Sequence, residues 1–440
     1  MIRKDIVKEI ILVNQNRNLD QVLPRETLIP LNTGKIISIT GIRRCGKTHL
    51  LLSLIKQLCS GGSEKEFILF INFEDERLSL KSDELDIIIQ AYRELFPEND
   101  LGNVYFFFDE IQNVSGWEKF VRRVYDSISK NIFITGSNAK MLGTDISTSL
   151  RGRSINIELF PLSFNEYLLF NNLDKQYHSP SNRANILNAL KKYLINGGFP
   201  EVINSQYAQN ILQEYYYVML YKDLIERYNI SNVSALKYFL DRIVINTGKP
   251  SSIRKIYNEL KSSGHAVSKD SLYQFAEHAE SIYFSFHLSR FDYSFIKRSQ
   301  AEKKIYFIDN GLINALTYHF SENTGSLLEN AVFLYLRRLH PHKVFFYKQH
   351  HECDFLIMDK DKPSEIIQVA YKLDDQNTLD RELKGIESAS KYFGLTKGTI
   401  ITFEEERDII MDNIKVSVIP AYKYFLTDNQ PDEKYKQTVA

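Results

Sequence analysis

Gly41-Ile-Arg-Arg-Cys-Gly-Lys-Thr48 is the stretch on which the reading of this chain turns. It fits the pattern G-x-x-x-x-G-K-[ST], whose chemistry requires a strand before it and a helix after it. Both are present. The β-branched, apolar run Lys35–Gly41 reads as a buried strand, and His49–Cys59 has helical spacing. Gly41 and Gly46 let the loop wrap an anion, with backbone N–H groups turned inward at a helix N-terminus. Lys47 brings a point charge to the β- and γ-phosphates of ATP, and the Thr48 hydroxyl completes the shell of a Mg²⁺ ion. The expected nucleotide contacts are Gly41, Arg43, Arg44, Cys45, Gly46, Lys47, Thr48 and His49.

Working outward, further short apolar runs lie at Phe67–Phe73, Val104–Glu110, Asn131–Ser137 and Ile155–Phe160, with helical patterns between them. Strands alternating with helices predict a parallel sheet with crossover helices over roughly the first 160 residues. The run ending Phe108-Asp109-Glu110 delivers two carboxylates to a strand's C-terminal end, where such sheets hold ligands. Asp109 is expected to hold Mg²⁺ through water. Glu110 is expected to orient and deprotonate the attacking water. After the next strand, Ser137 and Asn138 can sit between the carboxylates and the γ-phosphate, the longer amide favouring Asn138. A strand-ending turn of Gly, Ser and Asn explains the same residues. Arg153, and less so Arg151, can reach a phosphate held by a neighbouring subunit. A surface or interdomain salt bridge is the alternative for Arg153.

Composition bounds the rest. The 440 residues carry 55 Lys and Arg against 55 Asp and Glu, with 43% hydrophobic and 25% charged. That balance excludes disorder as the main state, and it excludes polybasic binding of nucleic acid by the whole chain. One basic face is still compatible with it. Cys45, Cys59 and Cys353 are scattered and odd in number, which excludes a disulfide framework and suits a reducing compartment. The amino terminus has no continuous apolar core of signal-peptide length, and no uncharged run approaches a membrane span. A soluble, cytoplasmic protein with no membrane partner is expected.

Beyond Ser163 the strand signal fades. Leu187–Asn196 and Asn210–Tyr228 read as helices around a Gly197-Gly198-Phe199-Pro200 loop. Three helix-like blocks follow (Ala235–Val244, Ser252–Ser262, Ser268–Glu280), then strand-like Tyr283–Ser289 and Lys304–Asp309. That is the order of a winged helix. Ser231–Lys304 holds 12 Lys and Arg against 7 Asp and Glu, an excess of five. Ser268, Lys269, Ser271 and Gln274 would open a recognition helix, with Arg290, Lys297 and Arg298 in or near the wing. The last segment mixes a helix, Leu327–His340, with several strands.

GIRRCGKT, INFEDERL, FFFDEIQNVSGWEKFVRRVYD, ITGSNAKML and RGRSINIELFPLSFNEYL together resemble the AAA-type ATPases of archaea and bacteria. Those chains join an ATPase core, a winged-helix segment and a C-terminal domain of restriction-endonuclease, PD-(D/E)xK, type. YLINGGFPEV, KKIYFIDNGLINAL and GSLLENAVFLYLRR look like the same family, so the resemblance spans nearly the whole chain. It implies an α/β fold with a P-loop NTPase core over residues 1–162, a helical extension over 163–230, a winged helix over 231–310 and a nuclease-like domain over 311–440. It also implies ATP binding and hydrolysis, homo-oligomers and DNA contact.

A nuclease of this type needs an acidic residue on a helix, an Asp on a strand and an acid-x-Lys on the next strand, to hold Mg²⁺ and activate water. Glu329 and Asp354 fall at the right places. The third element reads Gln368-Val369-Ala370, so a metal ligand has become an amide and the lysine an alanine. Lys372, two residues on, would share a strand face with Ala370 and is the alternative source of the lysine. The domain reads as a retained fold that has lost its metal site. His350-His351-Glu352-Cys353 is too tightly spaced for structural zinc. The functional expectation is an ATPase whose turnover acts on DNA. The alternatives are a nucleotide-dependent switch on a protein partner and an ATP-dependent nuclease.

Overall fold

The computed structural model describes residues 4–136, 149–264, 266–317 and 324–427. Ser137 and Asn138 lie outside the described residues. The chain divides after Phe160 into two compact units.

The first unit is built on five strands: β1 (Ile36–Thr40), β2 (Ile68–Asn72), β3 (Tyr105–Asp109), β4 (Ile132–Gly136) and β5 (Ser154–Glu158). They pair in the order β2-β3-β4-β1-β5, and every pairing is parallel. Helices cover both faces of such a sheet, which is why β1 to β4 read as apolar runs without alternation. Ile37, Ile39, Phe106, Phe107, Phe108, Ile132 and Ile134 are all buried. The helix Trp117–Ser127 shows the matching pattern. Its buried residues Trp117, Phe120, Val121 and Val124 recur at helical spacing and form one stripe against the sheet core. The five strands lie where the alternation placed them. β1 is flanked by β4 and β5, so the loop at its C-terminal end opens close to the end of β3.

The second unit, from Pro161 onward, holds two further sheets. Helices Phe164–Phe170, Pro180–Asn196 and Ala208–Val218 come first, and Ser163 starts the first of them with a reciprocal cap to Glu166. The stretch read as one helix from Asn210 to Tyr228 changes to π-helical hydrogen bonding over Met219–Glu226. Next come the helix Val233–Ile245, strand β6 (Pro250–Ser251), helices Ile253–Ser262 and Lys269–Ser281, β7 (Ser285–Ser289) and β8 (Lys303–Phe307). The three strands form an antiparallel sheet in the order β6-β8-β7. A six-stranded sheet follows, built from β9 (Val344–Lys348), β10 (Glu352–Asp359), β11 (Lys362–Val369), β12 (Lys397–Thr402), β13 (Arg407–Met411) and β14 (Ile414–Pro420). Its order is β13-β14-β12-β11-β10-β9, with the helices Thr324–Leu339 and Gln376–Phe393 packed on it. Segments 163–230 and 231–310 and the described part of 311–440 thus share one compact body.

One expectation fails here. β11 ends at Val369, and Lys372 is exposed in the irregular segment that follows, so it does not share a strand face with Ala370. The side-chain alternation that would aim it beside the carboxylates stops three residues short of it. Among the described residues, no helix is long and apolar enough to cross a membrane.

Candidate active site

The loop leaving β1 is shaped by two glycines. A side chain on Gly41 would place its Cβ 2.2 Å from the Leu159 carbonyl oxygen, because the chain after β5 passes directly behind the loop. Gly46 has φ of 99°, in the left-handed region, and its turn starts the helix Lys47–Ser60 with its N-terminal amides facing the loop. Lys47 is only 4% exposed. Its Nζ donates to the carbonyls of Gly41 and Ile42, 3.3 Å each, and lies 3.2 Å from Glu110 Oε1. Arg25 clamps the loop from outside, donating to the Cys45 and Phe160 carbonyls at 3.0 and 2.9 Å. His49 Nε2 meets the Leu23 carbonyl at 3.0 Å. Burial pushes the Cys45 thiol up, so it serves as packing rather than as a nucleophile.

The end of β3 brings in the carboxylates. Thr48 Oγ1 donates to Asp109 Oδ2 at 2.7 Å, which puts a hydroxyl and a carboxylate oxygen at one point beside the loop. That pairing of hard oxygens suits Mg²⁺, which takes few protein ligands and keeps waters. With the inward-facing amides and Lys47, it fits a Mg²⁺-bound polyphosphate. Burial pushes the Asp109 carboxyl up to about 6, against the pull of the Thr135 and Thr48 hydroxyls. Glu110 sits at φ of 51°, which turns its side chain back from the strand toward Lys47. Its other oxygen accepts from Gln112 Nε2 at 2.5 Å.

Sequence reasoning missed Thr135. This residue of β4 is fully buried; its Oγ1 donates to Asp109 Oδ1 at 2.5 Å and accepts from the Glu110 backbone N–H at 2.9 Å. A signal was present, because a hydroxyl inside an otherwise apolar strand needs a buried partner. Arg153 lies at the N-terminal edge of β5, the edge opposite the loop, and pairs with Asp126 through Nε at 3.0 Å. Arg151 is exposed beside it, with φ of 53°.

The C-terminal candidates divide. Glu329 and Asp354 do converge, but the cation between them is Lys304 of β8, a residue the sequence reading did not single out. Glu352 joins them at 2.9 Å from Lys304 Nζ. Gln368 braces the backbone of β10, accepting from Asp354 N at 2.6 Å and donating to the Glu352 carbonyl at 3.1 Å. Lys372 stays outside, as described above. Among the described residues, no group of three His, Cys, Asp or Glu side chains is arranged to hold a metal ion.

With this geometry established, the chain can be set beside known proteins. Residues 33–168 match the family model described as an AAA domain, and residues 187–323 match a domain of unknown function, DUF8612. The first unit therefore carries an AAA-type P-loop domain. The uncharacterized protein MJ1544 of Methanocaldococcus jannaschii is 36% identical over 441 residues, covering 97% of this chain and 96% of that protein. An uncharacterized protein of Haemophilus influenzae is 30% identical over 309 residues, covering 70% of this chain and 75% of that protein. The chain belongs to the family that contains these two proteins. Among solved structures, the Aeropyrum pernix ORC1 protein in complex with DNA aligns over 72% of this chain and 92% of its own, at 12% identity and a TM-score of 0.28. AMPPCP-bound DnaA from Aquifex aeolicus aligns over 57% of this chain and 83% of its own, at 14% identity and a TM-score of 0.24.

Proposed function

We propose that the chain is a Mg²⁺-dependent ATPase that couples turnover to DNA. The observation that carries the ATPase reading is the convergence of Lys47, Thr48, Asp109 and Glu110 on one point: Thr48 lies 2.7 Å from Asp109, and Lys47 lies 3.2 Å from Glu110. Lys47 and the loop amides bind and orient the phosphates. Thr48 would complete the shell of a Mg²⁺ ion, and Asp109 would hold it through water. Glu110 takes the proton of the attacking water, and Thr135 ties the Asp109 carboxylate to the Glu110 backbone N–H. The bound Mg²⁺ supplies charge neutralisation on the terminal phosphates. Arg153 would serve a second copy in a homo-oligomer, since its own loop is at the far edge of the sheet. It would first have to leave Asp126.

The DNA reading rests on residues 231–310. The helix Val233–Ile245, strand β6, the helices Ile253–Ser262 and Lys269–Ser281, and then β7 and β8, joined in a sheet of order β6-β8-β7, fit a winged helix. Ser268 caps the helix Lys269–Ser281, and Lys269, Gln274 and Lys297 are exposed. Ser231–Lys304 carries an excess of five basic residues, four without the buried Lys304, a charge suited to phosphates. A second reading, a nucleotide-dependent switch acting on a protein, is favoured by one observation. The β7–β8 connection exposes Tyr293, Phe295 and Ile296 at 68%, 72% and 66%. The test is the ATPase rate with and without single- and double-stranded DNA at two salt concentrations. Stimulation that weakens in salt supports the first reading, and turnover indifferent to DNA supports the second.

A further inference from the structure

Lys304 is an unusual buried lysine of the second unit. It lies in β8 with only 1% of its surface exposed. Its ammonium has three N–H donors, and three carboxylates meet it: Asp354 at 2.8 Å, Glu352 at 2.9 Å and Glu329 at 3.1 Å. Glu329 comes from the helix Thr324–Leu339, and the other two come from β10. Further donors reach the same three carboxylates, one of them at the Glu329 oxygen that Lys304 also meets. Tyr306 OH donates to Glu329 at 2.7 Å, Val369 N–H donates to Asp354 Oδ2 at 3.0 Å, and Lys348 lies 3.1 Å from Glu352 Oε2.

Burial alone would push the Lys304 ammonium down; Asp354 and then Glu329 outweigh it and hold it well above the usual lysine range. Burial likewise pushes Glu329 up to about 7 against the pull of Lys304. Three carboxyl groups converge on the position that Lys304 Nζ fills, where a metal ion or this ammonium could stand. A metal ion needs the volume that Nζ fills, and five of the six carboxylate oxygens already face Lys304, Tyr306, Val369 N–H or Lys348. The Gln368 oxygen is likewise spent on a backbone N–H.

We infer that Lys304 is the resident cation of this carboxylate cluster, standing where a divalent metal would otherwise bind, so that the cluster clasps the β6-β8-β7 sheet to the six-stranded sheet and does not cut nucleic acid. A clasp of this kind gains specificity of docking more than bulk stability, since apolar side chains would fill the same space at less desolvation cost. Breaking it from one side is the costly event, because the charges left behind are buried without a partner.

The test uses the full chain without nucleotide. Lys304→Ala removes the cation and opens its volume. Its unfolding temperature should drop by about 10 °C. Millimolar Mn²⁺ should restore most of the loss, with one bound ion seen by electron paramagnetic resonance. Both the rescue and the ion should vanish in Lys304→Ala/Asp354→Asn. The wild type should show neither an Mn²⁺ ion sensitive to Asp354→Asn nor Mg²⁺-dependent DNA cleavage, and either one overturns the inference. So does a Lys304→Ala protein as stable as wild type and indifferent to Mn²⁺. If that variant does not fold, Lys304→Met/Glu329→Gln/Asp354→Asn decides the matter. It removes the cation with two of its anions and should recover most of the stability that Lys304→Met alone loses. No recovery there would equally overturn the clasp.

Discussion

Glu110 Oε1 stands 3.2 Å from Lys47 Nζ, so the proposed general base and the phosphate-binding lysine face each other across the site. Each holds the other in place through charge, and Gln112 fixes the second oxygen of Glu110. Glu110→Gln keeps the shape while removing both the proton acceptor and the negative charge on Lys47. ATP binding should therefore persist, and phosphate release should fall by about 10²- to 10⁴-fold. Equilibrium nucleotide binding alongside single-turnover hydrolysis checks both halves. Undiminished turnover would remove Glu110 from the mechanism.

Thr135 makes a different prediction, because it touches the Asp109 carboxylate and the Glu110 backbone N–H rather than the nucleotide. Thr135→Val keeps the volume and deletes the hydroxyl that serves both Asp109 and the Glu110 backbone N–H. It leaves a buried N–H and a buried carboxylate oxygen short of a partner, a loss of about 1–3 kcal/mol in stability. Turnover should fall more than nucleotide affinity does, and Thr135→Ser should restore much of it. Equal losses in binding and turnover, with no rescue by serine, would reduce Thr135 to a packing residue.

The fold of the first unit was legible because a parallel sheet covered on both faces writes itself as apolar runs, and because the loop motif fixes which strand end matters. Lys47, Thr48, Asp109 and Glu110 came from spacing alone. Thr135 did not, since a single hydroxyl in an apolar strand carries no motif and its meaning depends on β3 and β4 lying side by side. Lys304 escaped for a stronger reason. The lysine expected from the nuclease pattern was sought two residues after Ala370. The residue in the cluster comes 66 positions earlier in the chain than Ala370, on a strand of another sheet, as residue numbers 304 and 370 show. Local periodicity has no access to such a contact.

Gly41 offers a sharp steric test. An added Cβ would meet the Leu159 carbonyl oxygen at 2.2 Å, and that atom is backbone anchored by Leu159 N–H donating to the Thr40 carbonyl at 2.7 Å. Neither side can give way without moving the loop or unpairing the chain after β5. Gly41→Ala should therefore abolish nucleotide binding and lower the unfolding temperature, and calorimetric titration with ATP together with thermal unfolding checks this. Normal affinity in Gly41→Ala would mean the loop entrance is more pliant than its contacts imply.

Asp309 links pH to the stability of the second unit. Its carboxylate is buried and accepts from the backbone N–H groups of Gly198 at 2.6 Å and Gly311 at 2.8 Å, tying the Gly197-Gly198 loop to the start of the helix Asn310–Leu316. Burial pushes its carboxyl up from 3.8 to about 7, in spite of those donors. Between these two values the folded protein keeps a proton that the unfolded chain has released. The Asp309 contribution to stability is therefore fully present below about pH 4, declines as pH rises, and is lost above about pH 7. The slope from this one group is at most about 1.4 kcal/mol per pH unit. Asp309→Asn cannot titrate and gives up one N–H acceptor, so it should be less stable by about 1–3 kcal/mol at acid pH. The gap to wild type should narrow toward neutral pH. Denaturant unfolding of both proteins across that range reads the difference directly, which cancels the other titrating groups. A gap that is constant, or that widens as pH rises, would mean Asp309 is already ionised in the folded protein and held so by its backbone donors.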